Sequence, residues 1–262
     1  MNSTVSRAIE VLRKKGIFGL GKSAGAYLYN RIIFEYWIQL RANYYRKRGH
    51  KGLERPFSTI WIDPNDVVAV YDGEFNQKIQ MGKIKGGDWD KKRFPIEENH
   101  TYNGLRQHFC HDKDWENTIY YENAVRNIQD GHTVLGYSSV SDFEERLEYV
   151  DSLYESIQNN GYRSQKQIGD DDWDPNRHPI VTPAHTRTGE IGVNVARDGS
   201  LLHNDGIHRL SIAKILELET VPVQIIVRHK AWQDIRNQFA YGDAPKNLVE
   251  RYGSHPDLSI FG

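Results

Sequence analysis

Apolar residues recur along this chain with two periods, and the switches between them mark its elements. Ile191, Val193 and Val195 alternate as a half-buried strand does, and Asp198-Gly199 supplies a tight turn before Leu201 and Leu202. From Ile207 the spacing turns helical, through Leu210, Ile212, Ala213, Ile215 and Leu216. Val221 to Val227 then resumes as a strand after the break at Thr220 and Pro222. Residues 189–227 thus read as strand, turn, glycine-led helix start, helix and strand. Elsewhere the same reasoning predicts a strand at Ser58–Ile62, and strands or a hairpin within 66–85 through Val67 to Val70 and Gln77 to Ile84. Helices are predicted at about 3–16, 23–47, 97–110, 119–129 and 141–159, the last amphipathic through Phe143, Leu147, Val150, Leu153 and Ile157. Residues 48–57 read as a linker, and the polar stretch 161–189, with Pro175, Pro179 and Pro183, as a surface loop.

The helix that starts at or just after Gly206 carries a second message. Its first backbone N–H groups have no partner within the helix and its dipole is positive at that end, which attracts an anion. Gly206 lets a phosphate approach closely, while His208 and Arg209 add donors that can fork onto phosphate oxygens; the plain alternative is a turn glycine, a partly buried polar histidine and a solvated arginine. Asn204 and Asp205 crowd further polar groups around the same point, although Asp205 can equally serve as a plain helix cap.

Gly206-Ile207-His208-Arg209, with the strand before it and the helix and Val221-Pro222-Val223 strand after it, resembles the G-x-H-R phosphate box of the ParB/sulfiredoxin-like fold. Segment 147–160 followed by Gly161-Tyr162 is similar to the helix that precedes this region in such domains, and Ser58–Ile62 to their first strand. The resemblance covers 57–64 and 145–230. It implies an α+β fold with a mixed sheet spanning 57–230, interrupted by an insert at about 86–145, with a helical extension at 1–50 and another extension at 231–262. It also implies a nucleotide, ATP, ADP or CTP with Mg²⁺, held at Asn204, Asp205, Gly206, Ile207, His208 and Arg209, with Arg187 beside it. Three family activities are represented among such domains. Sulfinic acid reduction needs a cysteine where this chain has Ile207, and a ParB partition protein needs a helix-turn-helix domain where only about 32 residues follow Lys230. The free serine kinases remain as the model.

Composition narrows the choice. The 262 residues carry a formal net charge of −1, so no global field of the kind used for non-specific nucleic-acid binding exists. The single cysteine, Cys110, excludes an intramolecular disulfide and any multi-cysteine zinc site and fits a cytoplasmic setting. No secretory signal is visible, and the closest approach to a membrane span, Ala24–Leu40, is broken by Asn30, Arg31 and Glu35. The N-terminal helices interleave Arg13-Lys14-Lys15, Lys22, Arg31, Arg41 and Arg46-Lys47-Arg48 with Tyr27, Tyr29, Phe34, Tyr36, Trp37, Tyr44 and Tyr45. That pattern suits peripheral membrane contact or an acidic partner; it equally suits an amphipathic pair packed on the main domain.

A second constellation, Gly86-Gly87-Asp88-Trp89-Asp90-Lys91-Lys92-Arg93, combines a sharp turn, two carboxylates and three cations. Asp88 or Asp90 is the candidate general base, Asp90 a candidate Mg²⁺ ligand, and Trp89, Lys91 and Arg93 are candidate substrate contacts. The alternative is a solvated surface turn. Asp114-Trp115-Glu116 and Asp172-Trp173-Asp174 repeat an acid-Trp-acid pattern suited to sugars, although a packing anchor explains each tryptophan as well. Asp170-Asp171-Asp172 with Asp174 is a further acidic run, and His111, His178, His185 and His203 show no metal-site spacing. Thr186-Arg187-Thr188 lies directly before the strand at 190–197 and Arg197 at its far end; the resemblance implies that they can reach a nucleotide, and both arginines equally suit exposed positions with no role. The expectation is a nucleotide-dependent kinase acting on a hydroxyl of a sugar, polyol or glycan intermediate. A ParB-like switch and a non-catalytic phosphoanion-binding adaptor are the alternatives.

Overall fold

A computed structural model describes residues 35–53, 57–74, 80–168 and 189–261 of the chain. Seven strands form one mixed sheet: β1 Thr59–Ile62, β2 Val67–Tyr71, β3 Lys83–Lys85, β4 Arg93–Pro95, β5 Ile191–Val195, β6 Leu201–Asp205 and β7 Val221–His229. The order β1-β7-β5-β6-β2-β4 puts β5 and β7 at the centre, where every one of their residues is buried. That placement follows from their sequences, which are apolar on both faces apart from a few hydrogen-bonded polar positions. β5 runs parallel to β7 and antiparallel to β6, while β2 runs parallel to β6. β1 and β3 both pair with β7, β1 antiparallel along Val221–Gln224 and β3 parallel along Val227–His229.

The fold is α+β. Among the described residues eight helices accompany the sheet: α1 Glu35–Lys47, α2 His100–His111, α3 Ile119–Gln129, α4 Val140–Asn160, α5 Gln165–Ile168, α6 Ile207–Ile215, α7 Lys230–Tyr241 and α8 Lys246–Tyr252. Their starts follow ordinary capping chemistry. Asn99, Thr118 and Ser139 each accept a bond from a backbone N–H in the first turn of α2, α3 and α4, and His229 Nδ1 does the same for α7.

Helix α6 lies between two cores. Leu210 and Ala213 pack with Val193, Leu201 and Val223 on one face of the sheet. Ile212, on another side of α6, joins Leu105, Tyr120, Phe143, Leu147 and Val150 of the inserted helices α2 to α4. Gly104 lets α2 meet α3 closely, since a Cβ there would lie 2.2 Å from Tyr120 Cβ. The opposite sheet face is covered in part by α1, whose Ile38 is fully buried with Met81, Leu202, Ile226 and Val227.

The C-terminal residues are built into the main core rather than appended to it. Trp232 and Leu258 belong to the same cluster as the sheet. Asp257, 2% exposed, accepts from Arg228 Nε at 2.9 Å and Nη2 at 2.6 Å and from Trp232 Nε1 at 2.8 Å, with Arg236 Nε 3.0 Å away. Burial alone would raise this carboxyl; Arg228 and Arg236 overcome it and hold the pKa at about 2.

Most sequence-predicted elements are found within a few residues, with one clear correction. β2 and β3 do not form a hairpin: β2 pairs with β6 and β4, and β3 lies along β7 across the sheet. β4, at the end of the Gly86–Arg93 stretch, was not expected as a strand, and neither were the C-terminal helices. The predicted helix at 3–16, the first part of that at 23–47, and most of the predicted loop 161–189 lie outside the described residues.

Candidate functional site

The chain leaves β6 at Asp205, turns at Gly206 and enters α6. Gly206 has φ 85°, a left-handed conformation that costs other residues strain. A Cβ at this position would lie 3.3 Å from Ile191 Cα and 3.2 Å from Arg209 Nη2. The second contact shows where the guanidinium of Arg209 goes: it folds back over the start of its own helix. Gly206 offers no side-chain cap, so the first-turn amides of α6 keep their positive ends directed outward.

Arg209 is weakly held there. Its one hydrogen bond among the described residues is from Nη1 to the Tyr162 hydroxyl at 3.5 Å, and it makes no ion pair among them. Burial opposes its charge, while Tyr162, Glu190 and Asp205 more than offset that and raise its pKa above the ordinary arginine value. A cation and an uncapped helix N-terminus therefore stand side by side, with the Glu190 and Asp205 carboxylates in the vicinity. Glu190 is 2% exposed and its Oε1 accepts from the Gln165 backbone N–H at 2.6 Å.

His208 does not share this site. It is 7% exposed, and its Nε2 shares a hydrogen bond of 2.9 Å with the Tyr120 hydroxyl of α3. Burial, reinforced by Arg146, Arg209 and His203, pushes its pKa down to about 3, so the ring is neutral. The expectation that His208 donates to phosphate through its side chain is corrected accordingly: the ring bolts α6 to the inserted helices. His203, on β6, is also buried and neutral, lowered by burial to about 4 with Asp205 opposing only partly.

Asp88 and Asp90 lie at the far end of β5. Arg197 follows that strand and binds both: its backbone N–H and Nε reach Asp90 Oδ2 at 3.1 and 2.8 Å, and its Nη2 reaches Asp90 Oδ1 at 2.6 Å and Asp88 Oδ1 at 2.7 Å. Ile191, at the start of the same strand, is the residue that touches Gly206. The two clusters are thus separated by roughly 17 Å of extended chain. The structure does not bring them into one site.

Asp90 is 4% exposed, and although burial raises its pKa, the bonds from Arg197 lower it further, to about 2. Such a carboxylate is a poor base, and with both oxygens engaged by Arg197 it does not fit a Mg²⁺ ligand. Trp89 is equally structural. It is 8% exposed, its Nε1 donates to Lys85 O at 2.9 Å, and its ring sits edge-on to Tyr71 at 5.6 Å. Lys91 pairs with Asp88 at 3.1 Å and Arg93 approaches Asp198 at 3.8 Å. His229 Nε2 donates to Gly87 O at 2.9 Å and closes the cluster. Gly86 to Arg93 is therefore an ion-bonded clasp on the β5–β6 turn.

Trp115, in the other described acid-Trp-acid segment, is a packing anchor: its ring stacks on His108 at 4.0 Å and its Nε1 donates to Asp151 at 3.1 Å. Arg187 with its neighbouring threonines, and the acidic run from Asp170 to Asp174, lie outside the described residues. Among the described residues there is no group of three or more His, Cys, Asp or Glu able to hold a metal ion. Sequence reasoning missed Glu190, Tyr162 and Tyr120. Tyr162 had a signal, since it follows a helix that the resemblance already placed near the box. No family model, curated protein or solved structure matches this chain.

Proposed function

We propose that this protein binds the phosphate groups of a nucleotide at the start of α6. The observation that carries the reading is the Arg209 guanidinium folded over an uncapped helix N-terminus, held by one hydrogen bond of 3.5 Å. Arginine beside helix amides matches a phosphate in charge and in fork geometry. The resemblance of Gly206-Ile207-His208-Arg209 to the ParB/sulfiredoxin-like phosphate box supports the same reading and points to ATP, ADP or CTP. Asn204, Asp205, Gly206 and Ile207 line the approach through their positions around the turn. Asp205 is the carboxylate that would hold a Mg²⁺ shared with the nucleotide phosphates, since this ion is often bound by one or two carboxylates and the phosphates themselves.

Transfer of the phosphoryl group to a hydroxyl of a sugar, polyol or glycan intermediate is the catalytic form of this proposal. It needs a base at the β6–α6 end of the sheet, and Glu190 and Asp205 are the carboxylates there; Asp88 and Asp90 are at the wrong end. The non-catalytic phosphoanion adaptor is the second reading, favoured by that same separation. Isothermal titration of the protein with ATP, ADP and CTP in the presence of Mg²⁺, beside Arg209→Ala, tests the site. Binding that weakens at least tenfold in the variant is expected. Equal binding by the two proteins, or none by either, removes the proposal. Where binding is found, phosphoryl transfer abolished by Glu190→Gln or Asp205→Asn separates the kinase from the adaptor.

A further inference from the structure

Helix α1 has two faces of different character. Ile38 and Ala42 are buried, Arg41 Nη1 donates to Met81 O at 2.8 Å, and the Tyr45 hydroxyl donates to Ile84 O at 3.0 Å, which fixes the helix on the sheet. The outward side carries Tyr36, Trp37, Leu40 and Tyr44, 60%, 55%, 38% and 49% exposed. With 100° per residue these four fall within one stripe along the helix. Arg46 and Lys47 end the helix, and the Arg48 guanidinium lies 4.3 Å from the centre of the Tyr44 ring. Aromatic rings beside cations on an amphipathic helix are the side chains that settle at a headgroup boundary.

The charge of the chain is divided in the same sense. Residues 1–50 contain ten Lys and Arg against two Asp and Glu, and the remaining residues contain 24 against 33. A nearly neutral protein is thus strongly basic at one end. A second copy of the chain would set Lys47 and Arg48 at the end of α1 against the same cations, which disfavours pairing through this face, whereas an anionic surface complements it. Among the described residues no helix is long and apolar enough to cross a membrane, so contact through α1 would be peripheral.

We infer that the outward face of α1 docks on an anionic lipid surface, with Tyr36, Trp37, Leu40 and Tyr44 at the headgroup level and Lys47 and Arg48 on the lipid phosphates. This is independent of the nucleotide site. The test is co-sedimentation of the full chain with phosphatidylcholine vesicles and with vesicles of phosphatidylcholine and phosphatidylserine, at low and high salt. Binding to the anionic vesicles alone, weakened by salt, is expected. Each basic residue contributes about a fivefold factor near such a surface, so Lys47→Gln and Arg48→Gln together weaken binding roughly 25-fold. Trp37→Ser weakens it at every salt concentration. These residues are exposed, and unchanged thermal melting verifies that the variants fold. Failure to bind anionic vesicles at low salt, or binding unaffected by both variants, overturns the inference. So does a concentration-dependent dimer that Trp37→Ser abolishes, because the face then belongs to a second copy.

Discussion

In the proposed phosphate site Gly206 and Arg209 divide the work between backbone and side chain. The glycine supplies the left-handed turn that points the amides of α6 outward, and the arginine returns over the opening. Alanine at 206 would meet the turn's φ of 85° and contacts at 3.2 and 3.3 Å, one with a movable guanidinium and one with backbone. Gly206→Ala should therefore cost about 1–2 kcal/mol of stability, read from urea unfolding, and displace Arg209 enough to weaken nucleotide binding. Unchanged stability and affinity would show that the turn does not depend on glycine. The importance of this turn was legible, because a glycine between an extended run and a helical run leaves little choice of conformation. For His208 the sequence leaves a phosphate donor and a partly buried polar side chain both open, and the structure takes the second. Consecutive helical residues point about 100° apart, so His208 and Arg209 leave α6 in different directions and each finds its own neighbours. Which of them turned inward depended on Tyr120, 88 positions away, and spacing within the motif carries no record of that partner.

Elements were legible where their stability is local. The helix predicted at 119–129 is observed as Ile119–Gln129, and that at 141–159 as Val140–Asn160, because periodicity and a capping Thr118 or Ser139 lie within the segments themselves. β3 and β4 have three residues each and owe their existence to distant partners, so local pattern placed a strand ending at Ile84 without its pairing and did not show β4. The Gly86–Arg93 stretch failed for the same reason: its carboxylates looked available until Arg197 was brought to them by the β5–β6 turn. The clasp gives a prediction that distinguishes structure from catalysis. Asp90→Asn weakens the charge-assisted bonds to Arg197 and leaves a poorer match for its guanidinium, and should destabilise the protein by about 2 kcal/mol in urea melts. Its nucleotide affinity and any phosphoryl transfer should match the wild type. A folded, equally stable Asp90→Asn variant with lost activity would restore that carboxylate to the chemistry.

At the scale of the molecule, buried neutral histidines make the assembly sensitive to acid, and one of them, His208, ties α6 to the helical insert. His208, at about 3, and His203, at about 4, are both held below the ordinary histidine value, first by burial. His255 is lowered in the same direction, again first by burial. The unfolded chain takes up protons as pH falls through about 6.5, while the native rings do so only near pH 4 and 3. Their stabilising contribution is therefore complete above pH 6.5 and is lost progressively below it, ceasing to change only under the native values. Two such groups remove on the order of 4 kcal/mol by pH 5, a large part of the 5–15 kcal/mol that a folded domain holds. Asp90 and Asp257, each held at about 2, add a further loss of the same sign only below the usual carboxylate range. Urea unfolding at pH 8, 7, 6 and 5 should thus show stability level at the alkaline end and falling below pH 6.5 with about two protons' worth of slope from His203 and His208, steepened further by His255. His208→Gln keeps a hydrogen-bonding partner for Tyr120 without a titrating ring, so it should lower stability at pH 8 but flatten the acid slope by about one proton. A wild-type curve flat between pH 7 and 5 would mean that the rings protonate in place, and that the junction between α6 and the insert opens to water without unfolding the sheet.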